Sequence, residues 1–306
     1  MQQSRIIGLI LAPVALALSS HAQAAPFPLS QWDLIDLGNL TSSQDVQGAA
    51  WIGGNLNGTG SSYATMLSGP SSAITLEVGG TISGGTVHVH NGSATVNSTP
   101  ANGQVDMQQG GATLFTNTAL NPSLAAMTQA LNDASNFFAG LPSNSNVTFP
   151  GVQPGPATFT VANNVTQAVF SINASDLFGN AKVQQIQLAN DSSAQSIIIN
   201  VIGATVNDLG SGNFTGGFNS SSTQAKIVWN FINATSITIN NRFDGVMLAP
   251  NAALTNTSEI DGAVGVASVI QNAEIHLPLS TVPTPEPLAG GMFMLGAMTL
   301  LRRRHA

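Results

Sequence analysis

The chain has no cysteine. Disulfides, thiolate metal sites and cysteine nucleophiles are therefore excluded, and stability must come from packing and backbone hydrogen bonds. Positive charge is nearly as scarce. Of the seven Lys and Arg residues, Arg5, Arg302, Arg303 and Arg304 lie in the terminal segments, which leaves the body Lys182, Lys226 and Arg242. With Glu286 set aside among the fourteen acids, three cations face thirteen carboxylates, a balance of −10. Three cations cannot form a patch that neutralises phosphates, so nucleic acid is excluded as a partner. Long apolar runs are confined to the two ends. What remains in quantity is Asn, Ser, Thr, Gly and Gln, a polar surface with little charge. Ile, Val, Leu and Phe still recur throughout, enough for an ordered core in a body of this length.

The first end, residues 1–24, reads as a signal peptide. Arg5 precedes an apolar run from Ile6 to Leu18, and Ala22-Gln23-Ala24 forms an A-x-A cleavage site for signal peptidase. The run is too short for a stable bilayer anchor. The other end, residues 282–306, has three parts in order: Pro285-Glu286-Pro287, an uncharged apolar stretch from Leu288 to Leu301, and the Arg302-Arg303-Arg304 cluster. Basic residues beside an apolar segment stay on the cytoplasmic side. Fourteen residues would span only ~21 Å of a ~30 Å hydrocarbon core. The order of parts resembles the PEP-CTERM sorting signal. That resemblance implies processing by an exosortase in a Gram-negative envelope, with transient membrane association through residues 288–301.

The body, residues 25–281, alternates apolar and polar residues in short runs, the period-two pattern of strands. Examples are Ile74-Leu76-Val78, Val87-Val89, Ile197-Ile199-Val201, Ile227-Trp229-Phe231 and Ile237-Ile239. Trp229 and Phe231 are expected in the core. Gly, Asn, Asp and Ser separate the runs and suit tight turns. One segment is helical, about residues 121–139. Asn121 reads as its N-cap and Pro122 as its first residue, with Leu124, Met127, Leu131, Ala134 and Phe138 on one stripe and Gly140 as the stop. Leu141 to Pro156 is a Pro-rich connector. The fold class is mainly β, a right-handed β-solenoid (β-helix) with one flanking helix, the alternative being a β-sandwich. No strict repeat period decides between them.

Two stretches carry a further likeness. Trp32-Asp33-Leu34-Ile35-Asp36-Leu37-Gly38 leads to Asp45 and on through Gly48 to Gly53-Gly54-Asn55-Leu56. Later come Ile227 to Phe231, Gly245-Val246-Met247-Leu248-Ala249-Pro250-Asn251, Gly262 and Glu274-Ile275-His276. Together they resemble the choice-of-anchor A domain over about residues 27–279. The resemblance implies an adhesive protein of the cell surface or biofilm matrix, a β-solenoid, and no catalytic constellation. Glycines 48, 53, 54, 245 and 262 are expected at corners or close backbone approaches.

Candidate chemistry is sparse. His88 and His90 share one side of a strand and could share an ion, with Glu77 on a neighbouring strand as the nearest carboxylate; Glu274 and His276 have similar spacing. No cofactor is expected, calcium on Asp33, Asp36 and Asp45 being the remaining candidate although no loop has a known calcium spacing. Neither Gly-x-Ser-x-Gly nor His-Glu-x-x-His occurs. Glycoside hydrolysis needs two carboxylates around a cleft, and scattered acids select no pair. An ice-binding face would need a long regular threonine array, whereas Thr158-Phe159-Thr160 and Thr235 to Thr238 are short and irregular. The expectation is a secreted, non-enzymatic adhesive or structural protein that contacts exopolysaccharide or other surface molecules. A secreted carbohydrate-active enzyme on the same scaffold is the alternative.

Overall fold

A computed structural model describes residues 27–208 and 212–283. The expected signal peptide with Ala22 and Ala24, and the sorting residues Pro285, Glu286, Pro287 and Arg302 to Arg304, lie outside the described residues.

The period-two runs are strands, and they pair in parallel with counterparts one turn away. Leu34–Asp36, Leu40–Ser42 and Asp45–Val46 make one coil; Ala50–Ile52, Leu56–Gly58 and Ser62–Tyr63 make the next, each strand beside its equivalent. Parallel neighbours need a long return path. Here further short strands supply it, which is the arrangement of a β-solenoid. Among the described residues, the one antiparallel ladder joins Asn146–Thr148 to Gly155–Thr160, so a sandwich of antiparallel sheets is ruled out.

The stack is not wound in chain order. Leu34–Asp36 sits between Ala50–Ile52 and Val264–Gln271. From this middle position the chain winds outward through Ile74–Val78 and Ser93–Val96 to Leu114–Thr116. It crosses back through the helix Leu124–Ala139, then winds from Gln167–Asn173 through Ser196–Ile202 and Ile227–Phe231 to Val264–Gln271, against its own first coil. Register partners Leu34, Ala50, Leu76, Ala94 and Leu114 are 16, 26, 18 and 20 residues apart. Coils of unequal length explain why the sequence shows no period.

The space between the sheets is filled mainly by apolar side chains, and its aromatic centre is Trp229. Its ring meets Phe159 at 5.7 Å and Phe214 at 5.8 Å, both near edge-on, and its Nε1–H donates to the Asp244 carbonyl at 3.0 Å. Trp229 and Phe231 are fully buried, as expected. The large sheet is apolar on its outer side too, where Ile35, Trp51, Ile198, Val228 and Leu248 lie under the long helix. Met127, Leu131, Ala134 and Phe138 are the buried stripe of that helix. Its start differs from expectation: Ser123 is the N-cap, accepting from the Ala126 N–H at 3.3 Å, and the helix begins at Leu124. Asn121 instead gives its N–H to Glu77 at 3.0 Å, so Pro122 precedes the helix. Leu124 is 42 % exposed, off the buried stripe.

Glycines mark where coils touch. At Gly262, φ is +150° and a Cβ would stand 2.4 Å from the Gly245 carbonyl oxygen, whereas a Cβ at Gly69 would meet open space. A side chain at 262 must therefore move backbone as well as adopt an unfavourable φ. Gly262→Ala is expected to cost about 2–3 kcal/mol in urea unfolding, and Gly69→Ala less than about 0.5 kcal/mol.

Candidate functional site

The seven-stranded sheet and the turns beside it carry two clusters of paired titratable groups. His88 lies on its outer side and its Nδ1 meets Asp106 Oδ2 at 3.0 Å, with Gln108 on the same carboxylate at 3.2 Å. These hydrogen bonds hold the Asp106 carboxyl below the usual range. His90 follows the strand Val87–Val89 and is half-buried. Glu77 does not complete this pair as expected: it belongs to the large sheet, nearly buried, with Asn121 on it.

Further along the same sheet His276 bridges two acids, Asp261 at 2.7 Å and Glu274 at 2.8 Å. Arg242 reaches Asp244 at 2.9 Å and Asp261 at 2.6 Å. The hydrogen bond with Asp261, helped by Glu274 and opposed by partial burial, pushes His276 up to about 9. At neutral pH it is an imidazolium with both ring nitrogens occupied as donors, which leaves no lone pair for a metal.

Asp33, Asp36 and Asp45 do not share a centre. Asp33 is fully buried, with Oδ2 accepting from the Gly48 N–H at 2.8 Å. Asp36 is also fully buried and accepts from the Gly38 N–H at 2.7 Å and the Val269 N–H at 3.0 Å. Burial pushes both carboxyls up to about 7. Asp45 lies in the strand Asp45–Val46 of the charged sheet. Among the described residues no three His, Asp or Glu side chains gather as a metal site requires.

One broad face carries no charged side chain in its outward rows, whereas the seven-stranded sheet carries several. The part of the large sheet that the helix does not cover is seven strands wide, from Ile82–Gly84 to Thr205–Asn207. Its registers align one outward row as Ser83, Asn57, Thr41, Ile270, Thr255, Thr238 and Asn207. At ~4.8 Å per strand this row is ~29 Å long. The row beside it, from Asn55 through Asn39, Ser268 and Ser236 to Thr205, is also uncharged. Asparagines tie its coils together: Asn39 Oδ1 accepts from the Asn55 N–H at 2.8 Å, and Asn55 Oδ1 accepts from the Thr81 N–H at 2.8 Å. Ile270, near the middle, is 53 % exposed.

Residues 27–277 match the family model of an ice-binding-like adhesive domain. The chain belongs to that family. Solved structures are similar at low identity. An ice-binding protein (LeIBP) from an Arctic yeast is 15% identical with a TM-score of 0.34, covering 87% of this chain and 98% of that one. An ice binding protein from an Antarctic biological consortium is 14% identical with a TM-score of 0.35, covering 90% and 97%. The ice-binding protein DUF3494 domain of Shewanella frigidimarina is 9% identical with a TM-score of 0.31, covering 81% and 94%. No curated protein matches the chain.

In this adhesive domain the charged sheet and the neutral face have opposite chemistry. In the former His88 is paired with Asp106 and His276 with Asp261 and Glu274, whereas the hydroxyls and amides of the latter point outward over seven strands. Thr158 and Thr160 are not part of the neutral face; their strand, Gly155–Thr160, belongs to the four-stranded sheet. Of Thr235 to Thr238, Ser236 and Thr238 contribute to it. The neutral row escaped sequence reading because its members come from seven coils and share no spacing.

Proposed function

We propose that this domain is a non-enzymatic adhesive module of the cell surface or exopolysaccharide matrix, and that the row through Thr41, Ile270 and Thr255 is its contact face. The observation that carries this reading is a neutral face of seven strands on a body with a balance of −10. An acidic body repels acidic surfaces at long range, so its uncharged face suits a neutral, hydroxyl-rich polymer. Threonine methyls and Ile270 supply apolar contact, while amides and hydroxyls supply hydrogen bonds at the same level. We read the winding as right-handed, since parallel crossovers are so in about 98% of cases. In the same reading the protein is of choice-of-anchor A type, residues 1–24 direct export, and an exosortase removes the PEP-CTERM tail, residues 282–306, in a Gram-negative envelope.

Pull-down of the secreted protein on purified exopolysaccharide and on cells of its own species is expected to retain it on one of them. Thr41→Glu with Thr255→Glu places two carboxylates on the face and should weaken retention at least ~10-fold, about 1.4 kcal/mol. Retention unchanged by the pair would remove this face from the contact. Turnover of a glycan without binding would overturn the adhesive reading. Mass spectrometry of the secreted C-terminus tests the sorting step, and an intact Arg302 to Arg304 cluster would refute it.

A further inference from the structure

The solenoid contains a seam. Its first coil, Leu34–Asp36 with Leu40–Ser42 and Asp45–Val46, pairs with its last, Val264–Gln271 and Ile275–His276. The contact joins segments far apart in the chain: Ser42 Oγ–H donates to Gln271 Oε1 at 2.8 Å across a separation of 229 residues. Gln271 Nε2–H donates to the Asp45 carbonyl at 3.0 Å, and Asp36 takes the Val269 N–H at 3.0 Å.

The seam divides the protein into an arm and a body. The arm is everything up to Leu114–Thr116. The long helix belongs to the body, because Ser135 is bonded to Asn230 and the Phe138 carbonyl accepts from Asn200. The one covalent link between them is the segment 117–123, in which every residue is exposed or half-exposed. The remaining arm–body contacts are non-covalent, and with no cysteine present no disulfide locks them. The seam also holds costly groups: Asp33 and Asp36 are buried carboxyls, Asp33 Oδ1 has no hydrogen-bond partner, and neither does Trp51 Nε1 in the adjacent coil. Unsatisfied and charged groups in a dry interface reduce its net strength.

A second copy of the chain presents the same last coil. We propose that the seam exchanges between copies: residues 27–116 of one chain dock on Val264–Gln271 and Ile275–His276 of another, and reciprocally, giving a closed two-fold dimer. Every strand pair and every cross-seam hydrogen bond is then remade in trans, and the segment 117–123 changes conformation, giving up its bonds to the arm at Ser98, Val96 and Glu77. The neutral row runs across the seam, Thr41 from the arm standing beside Ile270 from the body. The exchanged dimer therefore carries two complete rows and gains avidity for a repetitive surface. The exchange itself stands on topology and is independent of what that surface is.

The test starts from the full chain refolded out of urea at increasing protein concentration, with mass read by light scattering. A dimer fraction that grows with concentration during refolding and persists on later dilution is expected. Monomer at every concentration would overturn the proposal. A second measurement uses the paired substitution Thr41→Cys and Ile270→Cys, register neighbours on adjacent strands ~4.8 Å apart, within disulfide reach. Oxidation of the isolated dimer fraction should give covalent dimers on a non-reducing gel. Asn57→Cys with Ser83→Cys, both within the arm, should close inside one chain in either form. If the cross-seam pair also closes inside one chain in the dimer, the copies associate without exchange and the proposal fails.

Discussion

Asn230→Ala is expected to lower stability by about 3–5 kcal/mol, the loss of a fully buried amide that fastens the helix to the sheet. Its Nδ2–H groups donate to the Ser135 carbonyl at 3.0 Å and to Asn200 Oδ1 at 2.8 Å. Its Oδ1 accepts from the Ser135 hydroxyl at 2.7 Å, and Asn200 passes the connection on to the Phe138 carbonyl at 2.7 Å. Alanine would leave the Ser135 hydroxyl and the Asn200 amide oxygen unpartnered where Asn230 and Asn200 are almost completely shielded from water, while the Ser135 carbonyl keeps its helical N–H donor. Each such group costs about 1–3 kcal/mol, and linked groups lose more than isolated ones. Thermal unfolding followed by circular dichroism should show a midpoint lower by about 10 °C. Asn57→Ala, on the exposed neutral face, should change stability by less than about 0.5 kcal/mol. A loss under about 1 kcal/mol at Asn230 would mean that the apolar stripe of Met127, Leu131 and Phe138 docks the helix unaided.

What the sequence reveals and what it conceals separate along physical lines. Alternation is local, so the strands Ile74–Val78 and Ile227–Phe231 are legible, as is the burial of Trp229 and Phe231. The helix stripe is legible for the same reason. Its start is not, because Asn121 and Ser123 are both good caps and the choice was made by Glu77, 44 residues earlier, taking the Asn121 N–H. Alternation also fails where a sheet is covered on both sides. Leu34, Ile35 and Asp36 are all buried, so Asp33 and Asp36 look like surface carboxylates in the sequence and are interior ones in the fold. The pairing of His88 with Asp106 is fixed by the length of one coil, and unequal coils leave no spacing to read. The seam and the neutral row are the least legible features, since both exist only once distant coils are stacked.

Stability is expected to fall as pH rises from about 5 to about 9, and Asp33, Asp36 and His276 all act in that direction. Burial raises the two carboxyls from 3.8 to about 7. Between those values the folded chain holds protons that the unfolded chain has released, so raising the pH favours unfolding until both carboxyls have ionised above about 7. A carboxyl displaced that far makes ionisation cost about 4 kcal/mol more in the folded state, which is large against a typical total of ~5–15 kcal/mol. His276 is raised from 6.5 to about 9, so its contribution is complete below about 6.5 and is lost as pH passes about 9. Urea midpoints measured at pH 5, 7 and 9 should therefore decrease in that order. Asp33→Asn should flatten the first limb and be more stable than the natural chain at pH 8, because an amide oxygen still serves the Gly48 N–H. Asp36→Asn should not, since both Asp36 oxygens accept N–H groups and an amide NH2 would oppose one of them. It is expected to cost about 1–3 kcal/mol even at pH 5, where the first variant is near neutral. His276→Gln should remove the limb between pH 7 and 9. A midpoint that stays constant from pH 5 to 9 would show that Asp33 and Asp36 ionise in the folded chain as readily as in water, and the seam would then not be the dry interface described above.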